Sequence, residues 1–365
     1  MKFECVLEKL LESVSISEKI TGKKESLPIL SCVVINVSDS IVFKSTNLET
    51  AVEIKVDGSI LKKGDIAVPA NIFLQTLQST KGEKVILEEN DGNLIIKSKS
   101  GETTIKSTPK DEFPSFPKPK SKNSYKIKKD ILINGIQSVS YASSNSMIRP
   151  ELASIYIVYS DSKLVFVATD SFRLAEKKFN TPLNYEIPDI LIPTKNAIEI
   201  TNVIGNIDEE DIEVIFDESQ INISIGNIRL VSRIIDGNFP NYNEIIPKSF
   251  SSEAILLKDD LANVLKKTRI FSGASQQVSF HIYPKNKIFS ITARNSDVGE
   301  MSDDIEAVVS GDDIDIHFNL QYIQDCVQSL KADSVNMQFA GEGKPLVIKG
   351  VPDQQFTYLV MPLNK

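Results

Sequence analysis

The chain has 365 residues, 41% of them hydrophobic and 25% charged, which is enough for two or three domains with separate cores. It contains no run of about 18 apolar residues and no basic start followed by an apolar segment, which argues against a membrane-spanning or secreted protein. The net charge of −8 argues against a protein that coats nucleic acid by bulk attraction, although local basic surfaces remain compatible with it.

The three cysteines, Cys5, Cys32 and Cys326, are odd in number and far apart in the chain. This pattern favours buried free thiols over a disulfide framework, because disulfides pair cysteines and persist in oxidising compartments. We therefore expect a cytoplasmic protein.

The first third of the chain shows three features in order. An amphipathic helix is predicted near the start from apolar residues three and four positions apart, namely Leu7, Leu10, Leu11 and Val14. The segment TNLETAV begins at Thr46, and VPANIFLQTLQ then predicts a second helix opening at Pro69, with apolar residues at Ile72, Leu74 and Leu77. The stretch closes on EFPSFP at residues 112–117.

The middle third repeats these features in the same order. Its first helix is predicted from Leu132, Ile133, Ile136 and Val139. The segment TDSFRLA begins at Thr169, 123 residues after TNLETAV, and IPTKNAIEITNVI places Pro193 124 residues after Pro69. The apolar face of this second helix is predicted from Ile198, Ile200 and Val203, and NFPNYN at 238–243 matches EFPSFP.

The last third repeats them again. Its first helix is predicted from Leu257, Leu261, Val264 and Leu265. The segment ARNSDVG begins at Ala293, 124 residues after Thr169, and FNLQYIQDCVQSL opens its helix at Asn319. The closing segment is FTYLVMP at 356–362. Three features in one order, three times over, indicate an internal repeat of roughly 120 residues.

Each repeat predicts two helices on a body of strands. Alternating runs such as SIYIVYS, KLVFVAT and VSFHIYP are rich in Ile, Val, Phe and Tyr and lie between the helices. The fold class is therefore α+β. The Pro- and Lys-rich stretch FPKPKSKNS at 116–124 predicts a linker, and a second boundary is predicted near Pro247, which gives domains at 1–122, 123–247 and 248–365.

The segment VATDSFRLA could also be interpreted as the active site of a hydrolase that uses Asp170, Ser171 and Arg173. The chain has two histidines, His281 and His317, and both lie in strand-like runs, where a histidine satisfied within a sheet is the expected role. The motifs GxxxxGK, CxxC, HExxH and GxSxG are absent from the sequence. The acidic segment IDEEDIEVIFDES at 207–219 predicts a solvated turn and a strand edge rather than a metal site. We expect no catalytic residue, no metal and no cofactor.

The segments LPIL at 27–30, TNLETAV, VPA at 68–70, TDSFRLA, FPNYNEIIP and YLVMPL resemble the bacterial DNA polymerase III beta subunits, the sliding clamps. The resemblance covers the whole chain. It implies three clamp domains, each with two helices on antiparallel sheets, and a head-to-tail homodimer that closes into a six-domain ring around duplex DNA. Ile270 and Phe271, in KKTRIFSGA, match the positions that meet the other subunit. The implied protein is a non-catalytic processivity factor.

A ring that slides needs sequence-independent phosphate contacts rather than base-reading side chains. The resemblance implies that Lys24, Arg149 and Lys195 contact DNA. Because the chain has no phosphate-binding loop of its own, a separate clamp-loader ATPase is expected to open and close the ring. The protein would lie in the cytoplasm and associate with the nucleoid during replication.

The resemblance also implies that TDSFRLA is part of a docking surface. In sliding clamps this motif, the loop before it, the FPNYN segment and the chain end form an apolar cleft that takes short linear peptides from the polymerase catalytic subunit, other polymerases, the loader and repair proteins. The matching positions here are Leu152, Thr169, Ser171, Phe172, Arg173, Leu174, Pro240, Ile245, Val360, Met361, Pro362 and Leu363. An apolar chain end such as LVMPL is unusual, since chain ends are normally polar and frayed.

Several residues depart from the family pattern. Ser171 and Phe172 stand where Gly followed by His or Tyr is common, Glu244 stands where Arg is common, and the chain ends in Asn364 and Lys365 rather than a basic and an apolar residue. The preferred peptide is therefore left open. The alternatives to a sliding clamp are the hydrolase and a repeat scaffold that does not encircle DNA.

Overall fold

The computed structural model describes residues 1–22, 27–110, 112–116, 119–121, 123–181, 187–217 and 219–363. The chain forms two compact units. The first comprises Met1–Ile133 and Lys195–Asp236, and the second comprises Asn134–Thr194 and Gly237–Lys365. In the part of the chain that the structure describes, no helix is long and apolar enough to cross a membrane.

The helices and strands follow one another in a repeating order. The first third contains β1 (Lys2–Val6), α1 (Leu7–Ile20), β2 (Cys32–Val37), β3 (Ile41–Thr46), β4 (Thr50–Val56), β5 (Ser59–Lys62), β6 (Gly64–Pro69), α2 (Ala70–Ser79), β7 (Lys84–Asn90), β8 (Asn93–Ser98) and β9 (Gly101–Lys106). The middle third contains β10 (Tyr125–Lys128), α3 (Lys129–Val139), β11 (Ser154–Ser160), β12 (Lys163–Thr169), β13 (Arg173–Asn180), β14 (Ile190–Pro193), α4 (Thr194–Ile204), β15 (Asp211–Phe216), β16 (Gln220–Ile225) and β17 (Ile228–Arg233). The last third contains β18 (Ser252–Leu257), α5 (Lys258–Phe271), β19 (Gln277–Tyr283), β20 (Ile288–Asn295), β21 (Gly299–Asp304), β22 (Ala307–Gly311), β23 (Ile314–Asn319), α6 (Leu320–Ser329), β24 (Ser334–Phe339), β25 (Leu346–Val351) and β26 (Phe356–Val360). The predicted α+β class, with two helices in each repeat, is confirmed.

The first unit contains two antiparallel sheets. The smaller has the order β5-β1-β7-β8-β9, and the larger has the order β10-β15-β16-β17-β4-β3-β2-β6. The larger sheet combines strands from two repeats, because β17 pairs with β4 and places Ile228 opposite Ile54. A strand at the end of one repeat thus continues the sheet of the repeat before it.

The second unit is built by the same rule. Its nine-stranded sheet has the order β14-β11-β12-β13-β26-β25-β24-β18-β22, and its four-stranded sheet has the order β21-β20-β19-β23. Here β26, the last strand of the third repeat, pairs with β13 of the second and places Val360 opposite Arg173.

The helices bury the apolar faces that their periodicity predicts, with three exceptions. Leu10, Val14 and Leu77 are fully buried, whereas Ile72 and Ile198 are exposed, and Leu257 is exposed at the end of β18, just before α5 begins. The buried face of α2 carries Phe73, and that of α4 carries Ala197, Ile200 and Val203. The two predicted isoleucines therefore lie on the outward side of their helices.

Each unit has an aromatic centre. In the first, the ring of Phe43 lies 6.5 Å from Phe3 and 6.3 Å from Phe73. In the second, Phe280 lies 5.7 Å from Phe318 and 5.9 Å from Phe289. Full burial of one such side chain contributes about 1.5–3 kcal/mol.

The cysteines and the acidic segment also have defined places. Cys5, Cys32 and Cys326 are buried free thiols, as predicted. In the acidic segment, residues 208–210 are exposed, in agreement with the predicted solvated turn, whereas Asp211–Phe216 form β15, which lies between β10 and β16 rather than at an edge. Asp211 pairs with Lys126 at 3.0 Å and Lys128 at 3.1 Å. The pKa of the Asp211 carboxyl is lowered by these two lysines.

Candidate functional site

The motif TDSFR forms the tight turn between β12 and β13. Thr169 Oγ1 donates to the carbonyl of Arg173 at 2.6 Å and accepts the N–H of Ser171 at 3.1 Å. The carboxylate of Asp170 accepts the N–H groups of Phe172 and Arg173, each at 3.0 Å. Ser171 has φ of +78°, a left-handed conformation that is unfavourable for a residue with a side chain.

The same turn occurs in the first repeat, between β3 and β4. Thr46 Oγ1 donates to the carbonyl of Thr50 at 2.8 Å and accepts the N–H of Leu48 at 3.0 Å, and Leu48 has φ of +78°. Asn47 Oδ1 accepts the N–H groups of Glu49 and Thr50 at 3.0 and 2.7 Å. The Thr and Asp of the motif therefore build a turn common to two repeats, which argues against a catalytic role.

The histidines lie on other elements of the second unit. His281 Nδ1 is 2.6 Å from Asp315 Oδ1 and its Nε2 is 2.8 Å from Thr292 Oγ1, whereas His317 Nδ1 is 2.7 Å from Ser279 Oγ. These contacts lie within β19, β20 and β23, as expected of histidines satisfied in a sheet.

Arg173 is held by partners on its own turn and on α6. Its guanidinium bonds to Asp170 at 2.9 Å and to Asp325 at 2.6 Å, and its Cζ lies 4.2 Å from the ring centre of Tyr322. Only 10% of the side chain is exposed. The predicted cleft residue Arg173 therefore fixes the turn against α6, and its charge is already neutralised.

Leu174 lies on the other face of β13, in an apolar cluster. Its buried members are Val165, Val167, Leu174, Tyr242, Val347 and Leu359. Leu359 is the register partner of Leu174, and Val360 is the partner of Arg173. Because side chains alternate along a strand, Val360 projects to the face of Arg173, and Leu359 projects to the face of Leu174.

The NFPNYN segment crosses this apolar cluster. Phe239 stacks on Tyr156 at 4.8 Å, and the hydroxyl of Tyr242 donates to the buried carboxylate of Glu176 at 2.8 Å. Burial, together with that carboxylate, raises the pKa of Tyr242 well above its usual range, so the hydroxyl remains a donor. Pro240 and Ile245 lie beside these anchors and are exposed.

The chain end lies next to the turn. The N–H of Met361 donates to the carbonyl of Phe172 at 2.8 Å, and the N–H of Leu363 donates to the carbonyl of His317 at 2.8 Å. Residues 361–363 are thus attached at both ends, with Pro362 and Leu363 half-buried. The side chain of Phe172 is 62% exposed and that of Met361 is exposed as well, which leaves apolar surface open to solvent.

The equivalent place in the first unit carries charge instead. There the N–H of Arg233 donates to the carbonyl of Glu49 at 2.9 Å, as Met361 does to Phe172, and the two side chains form an ion pair at 3.5 Å. Ala51 occupies the position of Leu174. At this place the second unit offers two exposed apolar side chains, Phe172 in the turn and Met361 at the chain end, whereas the first unit has exposed Leu48 beside the Glu49–Arg233 ion pair.

The remaining cleft and DNA predictions lie elsewhere on the chain. Leu152 is buried in the loop before β11, where its N–H donates to the carbonyl of Arg149 at 3.0 Å and its carbonyl accepts from Ser144 at 2.8 Å. Arg149 is exposed in this loop, and Lys195 is exposed in the first turn of α4. Lys24 lies outside the described residues, as do Asn364 and Lys365.

The predicted subunit-contact residues end helix α5. Ile270 is largely exposed and Phe271 is half-buried. A methyl group placed on Gly299, the first residue of β21, would lie 3.8 Å from the ring of Phe271. Phe271 is thus beside the edge strand of the four-stranded sheet.

Sequence reasoning missed several residues of the site. Tyr322 and Asp325 are about 150 residues from Arg173 in sequence, and no local pattern connects them. Leu359 could have been found from the alternation in FTYLV, since Phe356 and Tyr358 share one face of the strand with Val360.

Three family models match the chain. Those described as DNA polymerase III beta subunit, N-terminal, central and C-terminal domain match residues 1–117, 126–241 and 243–364. A beta sliding clamp of Staphylococcus epidermidis is 24% identical over 375 residues, covering 100% of this chain and 99% of the relative. A solved DNA polymerase III beta subunit from Thermotoga maritima is 25% identical with a TM-score of 0.93, covering 100% of this chain and 99% of that one. The solved DNA polymerase III beta chain of Streptococcus pneumoniae is 25% identical with a TM-score of 0.95, covering both chains completely.

Proposed function

The chain belongs to the family of DNA polymerase III beta subunits, the sliding clamps, and we propose that it works as a homodimeric ring that encircles duplex DNA and tethers the polymerase to it. In this proposal the three domains lie at 1–122, 123–247 and 248–365, and two copies give a ring of six domains.

The observation that carries the ring is the way in which consecutive repeats join. At both joins within the chain, the strand after the Asx-type turn of one repeat pairs antiparallel with the last strand of the next repeat, β4 with β17 and β13 with β26. The corresponding strands left over are β21 of the third repeat and β9 of the first, and each is an end strand of its sheet in the described residues. The same pairing between β21 of one copy and β9 of another would continue the rule and close a ring of two copies.

This pairing would also protect the two edges. Open strand edges invite aggregation because their N–H and C=O groups lack partners. Phe271 lies beside β21 and follows the exposed Ile270, so the proposed contact would cover apolar surface as well as backbone groups.

The proposed partner site is the apolar surface around Leu174 in the second unit. Phe172, Met361 and Ile245 offer exposed apolar side chains, and Leu174, Leu359 and Tyr242 belong to a buried apolar cluster on adjoining segments of the chain. This combination suits a short linear peptide with apolar anchors, and a flexible methionine can adapt to several peptides. The polymerase catalytic subunit, other polymerases, repair proteins and the clamp loader are the proposed carriers of such peptides.

Arg149 and Lys195 are proposed to contact DNA phosphates, together with Lys24. Arg149 lies in a loop and Lys195 at the start of a helix, and both positions suit contacts to a passing backbone, because side chains there can follow phosphates of any sequence. The proposed role is non-catalytic. In that case ring opening depends on an external ATPase, and the chain would act on nucleoid DNA in the cytoplasm.

A topological assay tests the ring. The protein is loaded onto nicked circular DNA with a bacterial clamp loader and ATP, the complex is isolated, and half of it is linearised. We expect the protein to remain on the circle and to leave the linear DNA by sliding off its ends. Equal retention on both would indicate ordinary surface binding and would exclude a closed ring.

The matched variant is Phe271→Asp, which places a charge at the proposed subunit contact. We expect it to elute as a monomer and to fail to load. If the variant remains a dimer, Phe271 is not essential to the subunit contact. The topological assay would still decide whether the protein forms a closed ring.

A further inference from the structure

Each of the two proposed DNA-contacting cations among the described residues forms an ion pair with a carboxylate of the same chain. Arg149 Nε lies 2.9 Å from Glu151 Oε1, two residues along the same loop. Lys195 Nζ lies 3.9 Å from Glu199 Oε1, one turn further along α4. Arg149 and Glu151 lie in a loop of the second unit, whereas Lys195 and Glu199 lie on a helix of the first.

In both pairs the carboxylate is the less exposed partner. The Arg149 side chain is 57% exposed and Glu151 is 22% exposed; Lys195 is 81% exposed and Glu199 is 18% exposed. Asn47 Nδ2 donates to Glu199 Oε2 at 3.1 Å and helps to hold that carboxylate in place. The pKa of Glu151 is lowered by its own backbone N–H and by Arg149, so it remains ionised at neutral pH. In each pair the cation is therefore the partner that a DNA phosphate can reach more easily.

We propose that Glu151 and Glu199 compete with DNA phosphate for Arg149 and Lys195, and so keep the hold of the clamp on DNA weak enough for sliding. The inference rests on the proposed function, in which these two cations contact duplex DNA. Glu151 and Glu199 are positioning residues, because they act through the cations and do not themselves touch DNA.

Counterion release gives the proposal a specific signature. A cation that binds phosphate releases condensed counterions from DNA, and each such contact adds about 0.9 to the slope of log K against log salt concentration. When the cation must first leave a carboxylate, that carboxylate takes up a cation from solution, which cancels part of the release. Removing the carboxylate charge should therefore steepen the slope, an effect that an altered loop structure alone would not give.

The test uses the full-length dimer with Glu151→Gln and Glu199→Gln. Exposed ion pairs contribute about 0.2–1 kcal/mol, so we expect affinity for a short duplex to rise by about 1.5- to 5-fold for each variant at low salt. We also expect the salt slope to steepen by up to about 0.9, and diffusion of the loaded ring along long DNA to slow.

Two controls separate local from global charge effects. Asp39→Asn removes the same charge from the exposed Lys63–Asp39 pair at 2.7 Å and should leave the salt slope unchanged. Glu151→Asp keeps the charge and should retain the wild-type slope, which separates charge from side-chain shape.

The outcomes are distinguishable. If Arg149→Ala and Lys195→Ala weaken DNA binding but the two Gln variants leave slope and affinity unchanged, the competition is refuted and the DNA contacts stand. If the Ala variants also have no effect, the proposed contacts fail and the competition fails with them. If Asp39→Asn steepens the slope equally, net charge rather than local pairing is responsible, and the inference is wrong.

Discussion

Replacing Phe172 by alanine should weaken the binding of partner peptides without reducing stability. A phenylalanine side chain presents about 200 Å², of which 62% is exposed here, so about 120 Å² is available to a partner. At about 25 cal/mol per Å², complete coverage would contribute about 3 kcal/mol, and coverage of half would contribute about 1.5 kcal/mol. We therefore expect the Kd of an apolar clamp-binding peptide to rise by about tenfold.

Fluorescence polarisation with a labelled peptide measures this change, and thermal denaturation of the free protein shows whether the fold is intact. Leu61→Ala is the matched control, because Leu61 on β5 is similarly exposed in the other unit. It should leave peptide affinity unchanged. A Phe172→Ala protein with wild-type affinity would refute the assignment of this exposed ring to the cleft.

Two further predictions concern stability and reactivity. Ser171→Gly should raise the free energy of unfolding by about 0.5 kcal/mol, because it relieves the left-handed strain at φ +78°, and the extra freedom of glycine in the unfolded chain offsets only part of that gain. Urea denaturation measures the free energy of unfolding, and a less stable variant would show that the backbone at Ser171 is not strained. Burial raises the pKa of the Cys5 thiol to about 12, with Glu4 adding to the shift, so the folded protein should leave Cys5 unmodified by a thiol reagent at pH 8 while the urea-unfolded protein reacts. The unfolded thiol ionises at lower pH than the folded one, so the stability contributed by Cys5 is present below about pH 9 and is lost as the pH rises towards 12; rapid labelling of Cys5 in the folded protein would be the contrary result.

Much of the fold followed from local patterns. The three repeats could be found in the sequence because helix periodicity, the Thr-Asx turn and the Phe-Pro segments are all short-range features. Each of them depends on residues that are neighbours in the chain. The turn at Thr46–Thr50 and the turn at Thr169–Arg173 share their hydrogen bonds because they share the residues that make them. The exposed positions of Ile72 and Ile198 were not predicted, because helix periodicity alone does not say which of two partly apolar faces meets the sheet.

The repeats, the α+β class, the buried thiols and the apolar character of the chain end follow from composition and from residues close together in sequence. The contacts of Arg173 with Asp325 and Tyr322 on α6, the shared face of Leu359 and Leu174, and the bonds that the carbonyls of Phe172 and His317 make to the chain end are visible only in the folded chain. The physical reason is that each of these contacts joins residues on elements far apart in the chain, and their pairing is set by strand register and by packing between elements rather than by neighbours in sequence.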